Sequence, residues 1–446
     1  MLQIVQTKAG KIAGTVEEYA AVFKGIPYAE PPVGERRFRR PETVRAWEGI
    51  FQADKFPKRA LQLKGDPNET FYTKEFYQDP VYQTEVSEDC LYLNIWVPLK
   101  RQAAPFPVAF FIHGGAFNHG TGHEVEFRTQ EYARRGIILV TINYRLGLAG
   151  FLAHPLLQQE DALACGNYGI LDQMKALEWV RENIGAFGGD PENITIFGQS
   201  AGAVSVQVLL SAARAKGMFA KAIIQSAGGY PARIGNGCTL ERAFLIGKRV
   251  MELAGADTLE ELRQKTEAEL LKIQENIMEE ENRNGRKHIL CFEPCVNQVL
   301  LTDSLDEICR QGRTAPVPVM IGVTRNDLTV TEEEACSGES AMKKSCVAWS
   351  LLREEKNGAP AYVYQFSRKL PGDERGAFHS SELWYMFGTY PSCWRPLTEA
   401  DGVLSEKMLS CWCAFMKTGI PDGTGMPRWL PCTLEHPFVM EFDVDK

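Results

Sequence analysis

The sequence is short of several things, and each shortage closes off a class of function. No apolar run is long enough to span a bilayer. The longest, near residues 107–117, is broken by His113, Gly114 and Gly115, whereas a membrane helix needs about 20 consecutive apolar residues. Positive charge is outnumbered: 49 Lys and Arg against 57 Asp and Glu give a formal net charge of -8, which leaves no basic face for nucleic acid or anionic lipid. The opening MLQIVQTKAGKIAGT has no basic stretch followed by an apolar core, so no secretory signal is expected. Cysteine pairing is missing as well. Twelve cysteines in 446 residues are too sparse for a disulfide scaffold, and neither CFEPC (291–295) nor CWC (411–413) has zinc-site spacing. We therefore expect no metal, thiols that serve as small buried apolar groups, and a reducing, cytoplasmic location. Repeats, low-complexity tracts and obvious linkers are also lacking, so residues 1–446 read as one domain.

What is there is a rhythm of buried strands and amphipathic helices. Apolar, β-branched runs stand at 107–112, 137–143, 193–198, 221–226, 317–323, 361–366 and 438–442. Between them Leu171, Met174, Leu177, Val180 and Ile184 recur at helical spacing, as do Leu404, Met408, Trp412 and Phe415. Continuously apolar strands separated by helices predict a mostly parallel central sheet covered by helices on both faces, an α/β fold. The charge-rich stretch 239–288 reads as a helical insertion of about 230–290 lying over that sheet, with ENRNGRK (281–287) as an exposed loop.

The chemistry concentrates in GGDPENITIFGQSAG, residues 188–202. A buried strand runs into Gly198-Gln199-Ser200-Ala201-Gly202, and a helix pattern (201–213) follows at once. A strand–turn–helix of this kind needs a sharp turn, and it leaves the serine hydroxyl of G-x-S-x-G exposed at the carboxyl edge of the sheet. A serine that merely capped the helix would leave the second glycine unexplained. Ser200 is the expected nucleophile. An attacking serine needs donors for the oxyanion it creates, and strand 107–112 ends in His113-Gly114-Gly115-Ala116-Phe117, which assigns that role to the amides of Gly114, Gly115 and Ala201.

In this architecture the acid and the base follow the serine along the chain. Of the downstream histidines, His288 sits in the charged insertion and His436 precedes the last strand, at the wrong edge. His379, in RGAFHSSELWYMFG after strand 361–366, stands at the carboxyl edge and is the expected base. The acid should follow strand 317–323. Asp327 is best placed, four residues on, with Glu332 its rival in the run Glu332–Glu334.

The same stretches resemble the type-B carboxylesterase family, which includes cholinesterases and bacterial para-nitrobenzyl esterases. GGDPENITIFGQSAG is similar to its serine signature and EDCLYLNIWVP (88–98) to its second signature; FKGIPYAEPPVGERRFRRPE (23–42), NYRLGLAGFL (143–152) and the tail 404–431 extend the likeness over nearly the whole chain. The resemblance implies an α/β-hydrolase fold and hydrolysis of small-molecule carboxylic esters through Ser200, His379 and Asp327, without metal or organic cofactor. It also implies a supporting role for Ser226 in IIQSAG. Three departures stand out. The family carries glutamate and glycine where this chain has Asp327-Leu328. Secreted members pair the cysteine of EDCLYLNIW with one upstream, where this chain has Ala60. Asp327 and His379 are only 52 residues apart, which implies that part of a helical lid is missing and that the mouth is open. Walls are expected from Phe117, Phe378, Trp384, Met386 and Phe387. A non-catalytic binding protein on the same fold, or action mainly on amides, thioesters or lactones, are the alternative readings; oligomeric state has no signal.

Overall fold

The computed structural model describes residues 2–63, 70–76, 84–100, 102–285 and 290–445. Its centre is a sheet of 12 strands. In chain order these are β1 (Leu2–Gln6), β2 (Lys11–Val16), β3 (Ala20–Pro27), β4 (Ile50–Gln52), β5 (Tyr92–Pro98), β6 (Phe106–Ile112), β7 (Ile138–Ile142), β8 (Gly189–Gln199), β9 (Lys221–Gln225), β10 (Val319–Thr324), β11 (Tyr362–Phe366) and β12 (Val439–Phe442). Across the sheet they lie in the order β1-β2-β3-β5-β7-β6-β8-β9-β10-β11-β12, with β4 beside β2. From β7 to β12 every neighbouring pair is parallel. The seven strands of this block are the seven apolar runs of the sequence. The antiparallel flank of β1, β2, β3 and β5 was not visible as strands, because polar residues such as Gln3, Lys24 and Asn94 break its short segments.

Side-chain alternation along the parallel strands feeds two cores, one on each face. Val108, Phe110, Ile196, Ile224 and Ile321 join one, with Leu177 and Val180 of the helix Tyr168–Asn183 and Val204 and Val208 of the helix Ala201–Ser211. Ala109, Phe111, Phe197, Ile223 and Met320 join the other, with Trp412 and Phe415 of the helix Glu399–Thr418. Because both faces are covered, the central strands are apolar throughout. The charge-rich insertion contains the helices Leu240–Ala254, Leu259–Arg263 and Glu267–Arg283. The last of these takes in residues 281–283 of the expected loop; residues 286 and 287 lie outside the described residues. Among the described residues no helix is long and apolar enough to cross a membrane, and no group of three or more His, Cys, Asp or Glu is arranged to hold a metal ion. The twelve cysteines are all free thiols.

Candidate active site

Strands β6, β8, β9, β10 and β11 all run into loops at one carboxyl edge, where sheets of this kind place their ligands. β8 ends at Gln199, and Ser200 turns the chain with φ 57° and ψ −124° straight into the helix Ala201–Ser211. A non-glycine residue with positive φ is strained, and such residues cluster where function requires them. Five of the eight among the described residues, Ala116, Phe117, Ser200, Ser226 and Ser380, surround this edge. The flanking glycines follow from close approach. A Cβ on Gly202 would stand 2.0 Å from the Ile112 carbonyl oxygen and one on Gly198 2.8 Å from it, so larger residues would push the helix off β6. The Ser200 amide donates to the Gln225 carbonyl (2.8 Å), fixing the turn to β9.

The loop after β6 lies against this turn. A Cβ on Gly114 would come within 3.1 Å of the Ser200 Cβ and 2.9 Å of the Gln199 carbonyl. Gly115 has φ 102°, followed by Ala116 at 52° and Phe117 at 59°. The loop brings Gly114 alongside Gln199 and Ser200, while Gly115 closes against the His119 backbone. Its first residue, His113, is stacked on Tyr144 (4.5 Å between rings), whose hydroxyl donates to the His113 carbonyl (2.9 Å). Burial lowers the His113 imidazole to about 4, which leaves it neutral and structural.

On the other side His379 Nδ1 lies 2.6 Å from Asp327 Oδ1. Both residues are buried. Asp327 Oδ2 accepts from the Thr324 amide (3.0 Å) and Oδ1 from the Leu328 amide (2.8 Å). Burial alone would raise the Asp327 carboxyl, but His379, the Ser226 hydroxyl and the Thr324 amide together bring it below its ordinary value. The carboxylate is therefore ionised and the imidazole carries its proton on Nδ1. Glu332, the rival acid, begins the exposed helix Glu332–Ser337, which Thr331 and Glu334 cap. His436 is exposed, and His288 lies outside the described residues.

Two further side chains reach this cluster. Gln199 Nε2 stands 3.2 Å from His379 Nε2; an amide N–H donates, so this contact and the Asp327 contact select the same imidazole tautomer. Glu382 is fully buried, and the Ser226 hydroxyl donates to its Oε1 (3.4 Å). Ser226 thus sits between the Asp327 and Glu382 carboxyls, and its single hydroxyl hydrogen serves one of them at a time. Burial first, then the Asp327 charge, lifts Glu382 to about 7. Sequence reasoning passed over both residues, although Gln199 lies inside GQSAG and Glu382 follows His379 by three positions.

The five expected wall residues are all buried but scatter in placement. Phe117 packs edge-on to Phe151 (4.9 Å), and Phe378 immediately precedes His379. Trp384 stacks on Phe76 (5.6 Å). Met386 takes the Gln225 amide on its sulfur (3.0 Å) and the Tyr132 hydroxyl on its carbonyl (2.9 Å). Phe387 sits among Phe111, Phe127, Tyr132 and Phe197, with ring centroids 5.0 to 5.9 Å away, inside the second core.

The chain matches the model of the carboxylesterase family over residues 2–352 and 341–446. It is 33% identical to the para-nitrobenzyl esterase of Bacillus subtilis (strain 168), over 94% of this chain and 91% of that protein. To carboxylesterase 4A of Bos taurus it is 29% identical, over 92% of this chain and 84% of the relative. Among solved structures, a thermophilic PNB esterase superposes with a TM-score of 0.85 at 30% identity, covering 99% of this chain and 96% of the other. The matches extend over nearly the whole chain and the fold superposes on solved relatives, and the chain belongs to the carboxylesterase family.

Proposed function

We propose that this protein hydrolyses small-molecule carboxylic esters through an acyl-enzyme, with Ser200 as nucleophile, His379 as base and Asp327 as acid. The observation that carries the reading is the 2.6 Å contact between His379 Nδ1 and Asp327 Oδ1, made at the edge where Ser200 projects. His379 takes the Ser200 proton on Nε2, whose lone pair the Gln199 amide gives up, as Oγ bonds to the ester carbonyl carbon. The oxyanion that forms is held by the amides of Gly114, Gly115 and Ala201, and their fixed orientation stabilises it more than mobile water would. Collapse expels the alcohol, which leaves with the proton from Nε2. Water then repeats the sequence on the acyl-serine and releases the acid. Asp327 stays ionised throughout and stabilises the imidazolium. Short or aromatic acyl groups fit best, with Phe378 next to His379 in the chain. The free, buried Cys90 supports a reducing, cytoplasmic setting.

The test is Ser200→Ala together with a serine-directed phosphonate. The variant should stay folded and lose ester hydrolysis by ~10³-fold or more, and the wild type should take up one label, at Ser200. Near-normal turnover in the variant, or labelling elsewhere, refutes the assignment.

A further inference from the structure

Away from the reacting groups, Glu75 gathers an unusual set of donors. It lies on the helix Thr70–Phe76, and its side chain and that of Arg395 have no exposure at all. Oε1 accepts from Trp384 Nε1 (3.1 Å), Arg395 Nε (3.1 Å) and the Cys393 thiol (3.6 Å). Oε2 accepts from Trp394 Nε1 (2.8 Å) and again from Arg395 Nε (3.1 Å). Every one of these donors lies within 384–395, the stretch that follows His379. Arg395 in turn spends its outer nitrogens on Asp373 (3.0 and 2.8 Å) and the Pro371 carbonyl (2.9 Å), and its guanidinium lies over Phe378 at 4.8 Å.

A buried carboxylate is costly unless its lone pairs are met, and a short helix does not need one to stay attached. What this one achieves is registration. Phe71 is held edge-on to Phe378 (5.0 Å), Phe76 is stacked on Trp384 (5.6 Å), and Lys74 Nζ lies 3.2 Å from the centre of the Trp394 ring. Phe378 is the residue before His379, so the aromatic face of the helix is one side chain away from the imidazole. No disulfide secures this part of the chain, since Cys90 is free and Ala60 is its counterpart upstream.

We propose that Glu75 is a specificity-determining positioning residue: it pins the helix Thr70–Phe76 to the His379 segment and thereby makes Phe71 and Phe378 a fixed wall that selects esters with an aromatic acyl group. The inference rests on His379 being the base of the ester-cleaving site. An aromatic acyl group gains from such a wall by edge and stacking contacts that an acetyl group cannot make, so the preference should show in kcat/KM.

The experiment compares p-nitrophenyl benzoate with p-nitrophenyl acetate in the wild type, Glu75→Gln and Phe71→Ala, each titrated with the phosphonate. Glu75→Gln keeps the shape but turns an NH₂ group toward the indole and guanidinium donors; Phe71→Ala removes the wall and leaves the pin. In both variants the benzoate-to-acetate ratio of kcat/KM should fall by about tenfold or more, with one titratable site per chain. A benzoate-to-acetate ratio of kcat/KM unchanged in Phe71→Ala overturns the wall even if Glu75→Gln fails to fold. Equal losses on both substrates, with fewer titratable sites, overturn the positioning role in favour of a purely structural one. A wild type that is inactive on both esters, or is labelled away from Ser200, refutes the active-site reading itself and not the role of Glu75 alone.

Discussion

Replacing Glu382 by glutamine should make the protein more stable at alkaline pH and leave it unchanged at acid pH. In the folded chain burial, and then the Asp327 charge, lift this carboxyl from the ordinary 4.5 to about 7. Below pH 4.5 it is protonated whether the chain is folded or not. Between 4.5 and about 7 the unfolded chain ionises while the folded one keeps its proton, so each pH unit removes roughly 1.4 kcal/mol of stability. Once the folded carboxyl ionises as well the loss levels off, at about 3 kcal/mol in all. Glutamine has no proton to lose and can still accept the hydrogen bond from Ser226, so the gap between variant and wild type should open from near zero at pH 4.5 to about 3 kcal/mol by pH 8. Urea midpoints for both proteins from pH 4.5 to 8.5 would measure it. A gap that stays constant across that range would show that Glu382 does not titrate in it, and the two-carboxylate arrangement around Ser226 would need another account. At pH 6, where the wild-type carboxyl is still neutral, the variant should retain its turnover.

Asp327→Asn should lower kcat by about three to four orders of magnitude, because the amide favours the wrong imidazole tautomer, whereas Glu332→Gln should be nearly silent; steady-state kinetics giving the reverse order would move the acid. Gln199→Glu places a carboxylate where an amide now donates to His379 Nε2, so the acidic limb of kcat/KM should shift to higher pH, and a superimposable profile would show that the contact has no part in holding the tautomer. Thiol titration under denaturing, non-reducing conditions should find all twelve cysteines reactive; fewer would point to an oxidising compartment. Along a C2 to C12 acyl series of one alcohol, kcat/KM should stay flat or fall, because an acyl chain left in water gains none of the roughly 0.8 kcal/mol per buried methylene, and a steep rise toward C12 would reveal a closed acyl channel.

How much of this was legible in the sequence follows from what each residue has to do. Strands β6 to β12 were readable because both of their faces are buried, which writes a continuous apolar run. The strands β1 to β3 and β5 were not, because polar residues such as Gln3, Lys24 and Asn94 interrupt their apolar runs even where the strand is buried. Ser200, Gly114 and Gly115 stood out as candidates because steric demands fix their neighbours: Gly202 has no room for a Cβ beside Ile112. Asp327 was chosen by its distance from a strand end alone, and Glu332 could be set aside only once its exposed helix start was visible. Glu382 and Glu75 were out of reach for a different reason. Their significance lies in partners from distant parts of the chain, 156 residues away for Ser226 and 320 for Arg395, and nothing local marks either as buried. The aromatic residues around His379 show the converse: a cluster that reads as a pocket wall packs, once folded, into a single core that holds both Phe378 and Phe387.

The alternation of side chains along the central strands has one more consequence. The helix that follows Ser200 belongs to one core, with Val204 and Val208, while the segment carrying His379 belongs to the other, through Ala377, Phe378 and Leu383. Ser200 and His379 are therefore mounted on separate hydrophobic bodies that meet across the sheet's edge, like two jaws on a common hinge plate. Alignment between them is inherited from the backbone ladder β8-β9-β10-β11, with the Gln199 contact to His379 reaching across the gap. A substitution that loosens either body, however far from Ser200, acts on the angle between the jaws, and the hydrolytic step will feel a disturbance that leaves each half still well packed.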